Sequence, residues 1–142
     1  MEITVISVMV LQYLFTVTGA SEKIADELLT FHVPIVLVAA ILPLIAGLVT
    51  GLAIGFVGTS FPIILALLSG LDTHVPLHAY IALAYGFGHL GQMITPIHIC
   101  QIVSNQYFKT GFAPVYKKTW PTFLLNFILI TAYFLLLYSL DI

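Results

Sequence analysis

Long apolar runs separated by short polar strings set the pattern of this chain. Residues 3–18, 33–68, 76–107 and 120–140 consist mainly of aliphatic and aromatic side chains, and the charged residues gather between them or at the ends. About 20 consecutive apolar residues cross a bilayer as a helix, so residues 3–18 and 120–140 read as single spans. Trp120 and Tyr138 sit near the edges of the latter, in the manner of an aromatic belt. Between the first two runs, residues 21–31 are amphipathic: Ile24, Leu28 and Phe31 share one helical face, opposite Glu22, Lys23, Asp26 and Glu27. That pattern suits a helix lying in the membrane interface. Residues 33–68 are too few for two full spans and a loop, which makes a helical hairpin of the re-entrant type the economical reading. Residues 76–107 read as one broken span, residues 107–119 as a cytoplasmic loop or interfacial segment, and the polar turn before Pro76 carries Asp72 and His74.

Two polar strings interrupt the longer runs. Gly58-Thr59-Ser60-Phe61-Pro62 and Gly91-Gln92-Met93-Ile94-Thr95-Pro96 each pass from glycine through a hydroxyl residue into proline. A hydroxyl caps the N-terminus of a helix, and proline at the first helical position loses no hydrogen bond. The pattern predicts that one helix ends near residues 55–58 and another starts at Ser60 or Phe61, with a second restart at Pro96 behind a Thr95 cap. Non-helical backbone inside a membrane is tolerated where it lines a site, and interrupted helices are the sequence pointer to a transporter's binding site. Half-helix N-termini favour an anion, and hydroxyls and carbonyls suit a cation.

Composition agrees with the membrane reading. The chain has 142 residues, 61% hydrophobic and 7% charged, with a mean hydropathy of +1.13, so it has too little polar surface to cover a soluble globule. There is no arginine, and the net charge is −2, which argues against nucleic acid as a partner. Cys100 is the single cysteine, so no disulfide framework or cysteine metal site arises. The residues before the first apolar run are Met1 and Glu2, without the positive region of a secretory signal, and that run reads as a span. Three of the four lysines fall in residues 107–119 with no acid among them. The positive-inside rule then places that segment and the N-terminus in the cytoplasm and the C-terminus outside.

Other strings have simpler readings. Gly86-Phe87-Gly88-His89-Leu90-Gly91 fits G-x-G-x-x-G, yet it sits late in an apolar helix with no acid about 20 residues on, which excludes a dinucleotide fingerprint. Gly47, Gly51 and Gly55 repeat every four residues and predict close helix packing. His89 and His98 flank the second break, where an ionisable side chain at membrane depth is a candidate functional residue. His74 and His78 flank Pro76 in a solvated turn. Asn126 is expected to bond a neighbouring helix. No Asp or Glu lies in any apolar run, which favours sodium over protons as a coupling ion.

The string from Leu48 through Thr50, Gly51, Gly55, Gly58, Thr59 and Ser60 to Pro62, with Thr95-Pro96-Ile97-His98-Ile99-Cys100 and Tyr107-Phe108-Lys109, resembles the C-terminal half of a family of uncharacterised prokaryotic membrane proteins, domain of unknown function 401. That family resembles the ion transporter superfamily, with gluconate permeases and citrate and dicarboxylate carriers. The resemblance implies one of two inverted repeats, each giving a hairpin tip and a broken helix to a midplane site. Its binding residues here are Gly58, Thr59 and Ser60 at the tip and Gly91, Thr95, Pro96 and His98 at the break, with His89 and Thr50 beside them. The expectation is an all-α integral protein of the plasma membrane that is not an enzyme and holds no resident metal or cofactor. It moves a small organic anion, with Na+ as coupling ion, together with a companion half or further copies of itself. The alternatives are a non-transporting membrane scaffold or partner subunit, and a histidine-based intramembrane metal or enzyme site.

Overall fold

The computed structural model describes residues 34–69 and 76–140, with isolated positions between residues 6 and 30. The expected span at 3–18, the interfacial helix at 21–31 and the turn bearing Asp72 and His74 lie largely or wholly outside the described residues. Among the residues described continuously there are five helices: α1 (Ile35–Thr50), α2 (Ala53–Ser69), α3 (Leu77–Ile94), α4 (Ile99–Tyr107) and α5 (Phe112–Ser139). Among the described residues all regular structure is helical. Only α5, among the described residues, is both long and apolar enough to cross a membrane, and most of its surface is uncovered by the rest of the described fold, as a lipid-facing helix requires.

The first break falls at Gly51 and Leu52, seven residues before the expected Gly-Thr-Ser tip. Gly51 closes α1 in the left-handed region (φ 61°), a conformation that costs a side chain, and its N–H bonds the Gly47 carbonyl at 2.9 Å. The Thr50 hydroxyl ties down the Ala46 carbonyl at 2.8 Å. Helix α2 then runs unbroken through Gly58, Thr59, Ser60, Phe61 and Pro62, which corrects the expectation of a restart at Ser60 or Phe61. Thr59 Oγ1 donates to the Gly55 carbonyl at 2.9 Å and Ser60 Oγ to that of Phe56, so both hydroxyls bond back along their own helix. Pro62 removes only the donor for the Gly58 carbonyl, and a helix surrounded by lipid and protein keeps its remaining internal bonds because nothing else satisfies them.

The helices α1 and α2 fold back on one another: Val38, Ile63 and Leu67 form one cluster with Leu42 and Ala66 at its edge, and Thr50 lies against Gly55 at the turn. By contrast α1 and α3 run in the same direction. Gly47 meets Gly88, Gly91 meets Leu44 and Leu48, and Gly51 meets Ile97 and His98, so positions advance together on both helices. A Cβ at Gly47 would lie 2.1 Å from the Gly88 carbonyl oxygen, and one at Gly91 the same distance from that of Leu44. Small residues let two backbones approach this closely where lipid supplies no hydrophobic drive. Phe56 of α2 covers Gly88 and packs edge-on against Tyr85 at 5.7 Å.

Helix α5 runs antiparallel to α3, with Tyr80 on Phe134, Phe87 on Phe127 and Gly86 under Ile130. Asn126 donates to Met93 Sδ at 3.8 Å, the inter-helix contact expected of it. The core combines Ala39 of α1, Ile64 and Leu68 of α2, Ala79, Tyr80, Leu83 and Ala84 of α3, and Phe134 of α5.

The second break occupies residues 95–98, and here too the details differ from expectation. Gly91 lies inside α3, Thr95 closes that helix, and α4 starts at Ile99 behind His98 instead of at Pro96 behind Thr95. Residues 112–119, expected in a loop, form the first turns of α5; proline is tolerated that early in a helix, and Pro114 occupies the third position. Both breaks stand at the ends of helices of 16 and 18 residues, and Ile94 is bonded to Tyr116 near the lysines of α5, so the junction lies toward that end of the bundle and not at its middle.

Between α4 and α5 the chain turns through Lys109 at φ 51°. The Thr110 N–H bonds the Asn105 carbonyl at 2.9 Å and the Lys109 N–H that of Gln106 at 3.3 Å, which is the Schellman pattern with lysine where glycine is usual. Lys109→Gly is expected to stabilise the protein by about 1 kcal/mol by removing the left-handed penalty, measured as a rise in melting temperature in one detergent; a fall contradicts this account of the turn.

Candidate functional site

The Gly51 carbonyl, left pointing out of the end of α1, accepts a hydrogen bond from His98 Nδ1 at 3.0 Å across 47 residues of chain. A Cβ at Gly51 would lie 3.3 Å from the His98 nitrogen and from the Ile97 carbonyl group. The two helix breaks are thus in contact, through a side chain and through backbone. Glycine is required here twice, by its φ and by the approach of the second break.

A carbonyl oxygen only accepts, so Nδ1 is the donor in this contact. Gln92, one turn before the end of α3, places its amide nitrogen 3.4 Å from the same Nδ1, while its Oε1 is buried without a partner. Amide oxygen and nitrogen are told apart only by their bonding. Exchanging them lets Nδ1–H bridge the Gly51 carbonyl and the Gln92 oxygen, and turns an unused buried NH2 toward the interior. Either way one polar atom of Gln92 is unsatisfied, and such an atom is costly unless a ligand or water completes it.

Thr95 is 1% exposed, and its hydroxyl oxygen receives the Ile97 N–H at a long 3.4 Å. Thr50, at the other break, lies between the Ala46 and Leu52 carbonyls. Tyr116 of α5 donates to the Ile94 carbonyl at 2.9 Å, satisfying one of the orphan acceptors at the end of α3 and tying α5 to the break. Removing that hydroxyl as Tyr116→Phe is expected to cost about 1 kcal/mol, read as a lower melting temperature with the fold retained; an unchanged midpoint means the contact contributes nothing.

Of the residues expected in the site, His98, Thr95, Pro96 and Thr50 stand at the junction of the breaks. Gly58, Thr59 and Ser60 do not: they belong to the interior of α2, with both hydroxyls occupied by their own helix. Gly91 serves the α1–α3 crossing, and His89 is exposed on α3. Gly51, Leu52, Gln92 and Tyr116 were missed. Gly51 stood in the sequence as one step of a packing repeat and within the string that carries the family resemblance, and Gln92 as part of the second polar string. Among the described residues no three His, Cys, Asp or Glu side chains gather in a way that holds a metal ion.

Chemically the junction offers an imidazole, the Thr50 and Thr95 hydroxyls, the Gln92 amide and backbone donors and acceptors. The backbone N–H groups that open α2 and α4 begin on either side of the Gly51–His98 contact, and the first N–H groups of any helix lack internal partners. Leu52 and His98 are half-buried, whereas Ile54, Pro96, Ile97 and Ile99 are exposed, so the junction is open on one side.

A family model described as "Protein of unknown function (DUF401)" matches residues 2–137. No curated protein and no solved structure matches the chain.

Proposed function

This chain belongs to the DUF401 family, and from that premise we propose that it is one repeat of a secondary transporter that moves a small organic anion across the plasma membrane. The observation that carries the reading is the His98–Gly51 hydrogen bond, which joins two interruptions that the sequence keeps 47 residues apart. A helix that stops inside lipid needs a reason, and two that stop against each other share one.

The supporting argument is dimensional as well as chemical. Helices of 16 and 17 residues are about 24 to 26 Å long, short of a hydrocarbon core of about 30 Å. A hairpin that opens to one face therefore brings its tip close to the opposite edge of the apolar slab, toward the lysine-bearing end of α5. Two helix N-termini beginning beside each other favour a carboxylate or similar anion, each worth up to about 2 kcal/mol in a partly buried site. The carbonyl oxygens of the breaks suit Na+ as coupling ion, and the unused NH2 of Gln92, a donor, suits the anion. The hairpin opens outward and the lysines of residues 107–119 face the cytoplasm, in the arrangement of the ion transporter superfamily with its gluconate, citrate and dicarboxylate carriers. Because the junction is open on one side, a companion half or a second copy supplies the other wall.

Uptake by proteoliposomes tests this. The chain, reconstituted with any neighbouring half-transporter gene product, is expected to accumulate labelled small carboxylates when an inward Na+ gradient is imposed and not without it. Uptake equal to empty liposomes for every carboxylate, with and without the partner, supports a scaffold instead.

A further inference from the structure

We infer that the lysine-bearing end of α5 is a binding site for an anionic phospholipid, its acyl chain in the groove between α3 and α5 and its phosphate on the lysines. The inference is independent of the transport reading and needs only that the chain sits in a bilayer. The groove is lined by Met93, Ile94, Tyr116, Thr119, Trp120 and Phe123. Its two polar side chains are already used: Tyr116 donates to the Ile94 carbonyl at 2.9 Å, and Thr119 to that of Val115 at 2.9 Å. The surface the groove presents is almost wholly carbon, so the part of a molecule that fills it is hydrocarbon. Trp120 stacks on Phe123 at 5.3 Å and forms one wall, with much of the indole exposed.

Immediately beside this hydrocarbon slot lies positive charge. Lys117 follows Tyr116 and stands three residues before Trp120, on the helical neighbour of the groove face. Lys118 is next to it, and both are exposed. Lys109 is held nearby in sequence by the left-handed turn that leads into α5. No acid occurs between Asp72 and Asp141, so these three cations have no counter-charge in their own stretch of chain. A soluble anion satisfies the lysines and leaves the groove empty, and a zwitterionic lipid fills the groove with its headgroup phosphate already neutralised. An anionic phospholipid satisfies both.

Trp120 is the only tryptophan and reports from inside the groove. The test places the full chain in nanodiscs of phosphatidylcholine and phosphatidylglycerol, with brominated acyl chains on one lipid and then on the other, and measures Trp120 quenching per mole fraction. Each lysine near an anionic surface is worth about a fivefold preference, so phosphatidylglycerol is expected to quench several-fold more strongly. Lys117→Gln with Lys118→Gln is expected to bring the two lipids to parity, and Lys23→Gln, outside this segment, to leave the preference intact. Equal quenching by both lipids in the unsubstituted protein overturns the assignment. Loss of the preference on adding millimolar inorganic phosphate also overturns it, in favour of a soluble anion. Should the double variant not fold, the comparison of the two lipids in the unsubstituted protein decides alone.

Discussion

Gly91→Ala is expected to destabilise the fold at or beyond the upper end of the roughly 1 to 3 kcal/mol typical of overpacking. The added Cβ lands 2.1 Å from the Leu44 carbonyl oxygen and 3.0 Å from the Leu48 nitrogen. Both neighbours are helical backbone, so no rotamer change relieves the clash and α1 has to move away from α3. Gly47→Ala, whose Cβ meets the Gly88 carbonyl oxygen at 2.1 Å, is expected to be equally severe. Gly86→Ala meets only the Ile130 side chain, which can shift, and Gly111→Ala has its nearest neighbour at an ordinary 3.8 Å. Melting temperatures of the four variants in one detergent should therefore fall in the order Gly111, Gly86, then Gly47 and Gly91 together. An unaffected Gly91→Ala variant rules out the close parallel approach of α1 and α3 on which the junction of the breaks depends.

His98→Ala is expected to separate function from stability. It removes the one side chain that joins the two breaks, at 3.0 Å from the Gly51 carbonyl, from a half-exposed position. The lost hydrogen bond should cost about 1 kcal/mol of stability, whereas loss of a contact to a charged substrate costs about 1.5 to 3 kcal/mol, or roughly ten- to a hundredfold in uptake. His98→Asn, which can still donate to the carbonyl, should recover part of the activity. Thr59→Ala and Ser60→Ala are expected to leave carboxylate uptake within about twofold, because their hydroxyls do no more than bond the preceding turn of α2. The reverse ranking, with Thr59 and Ser60 essential and His98 dispensable, returns the site to the Gly-Thr-Ser string.

That ranking shows where the sequence was legible and where it misled. The helical, apolar character of the chain follows from composition, and Asn126 was recognisable as an inter-helix contact because a lone amide in an apolar helix needs a partner. The second break was legible to within three residues, since Thr95-Pro96 disfavours continuing α3 whatever surrounds it. Its capping was not: His98, and not Thr95, precedes the next helix. The first break was misplaced because Gly58 to Pro62 carries every local signal of an interruption. The surroundings override those signals when hydroxyls at Thr59 and Ser60 satisfy carbonyls of their own helix. Gly51 carries no local signal beyond being glycine in a run of G-x-x-x-G steps, and its left-handed φ arises from a contact with residues 97 and 98 that no local pattern encodes. The lysines at 117 and 118 suggested a loop, yet a helix exposed to solvent or headgroups at its first turns accommodates them.

The convergence of the two breaks can be measured directly by cysteine cross-linking in native membranes, with Cys100 first replaced by serine. In one variant Leu52→Cys is paired with Ile97→Cys, and in a second Thr59→Cys is paired with Thr95→Cys. Thr59 stands seven residues into α2 from Leu52, about 10 Å along the helix axis. A short bifunctional maleimide is expected to join the pair at 52 and 97 rapidly and the pair at 59 and 95 barely at all. Efficient joining of 59 to 95 with none between 52 and 97 contradicts the junction of the two breaks, and with it the proposal of a transport site at Gly51 and His98.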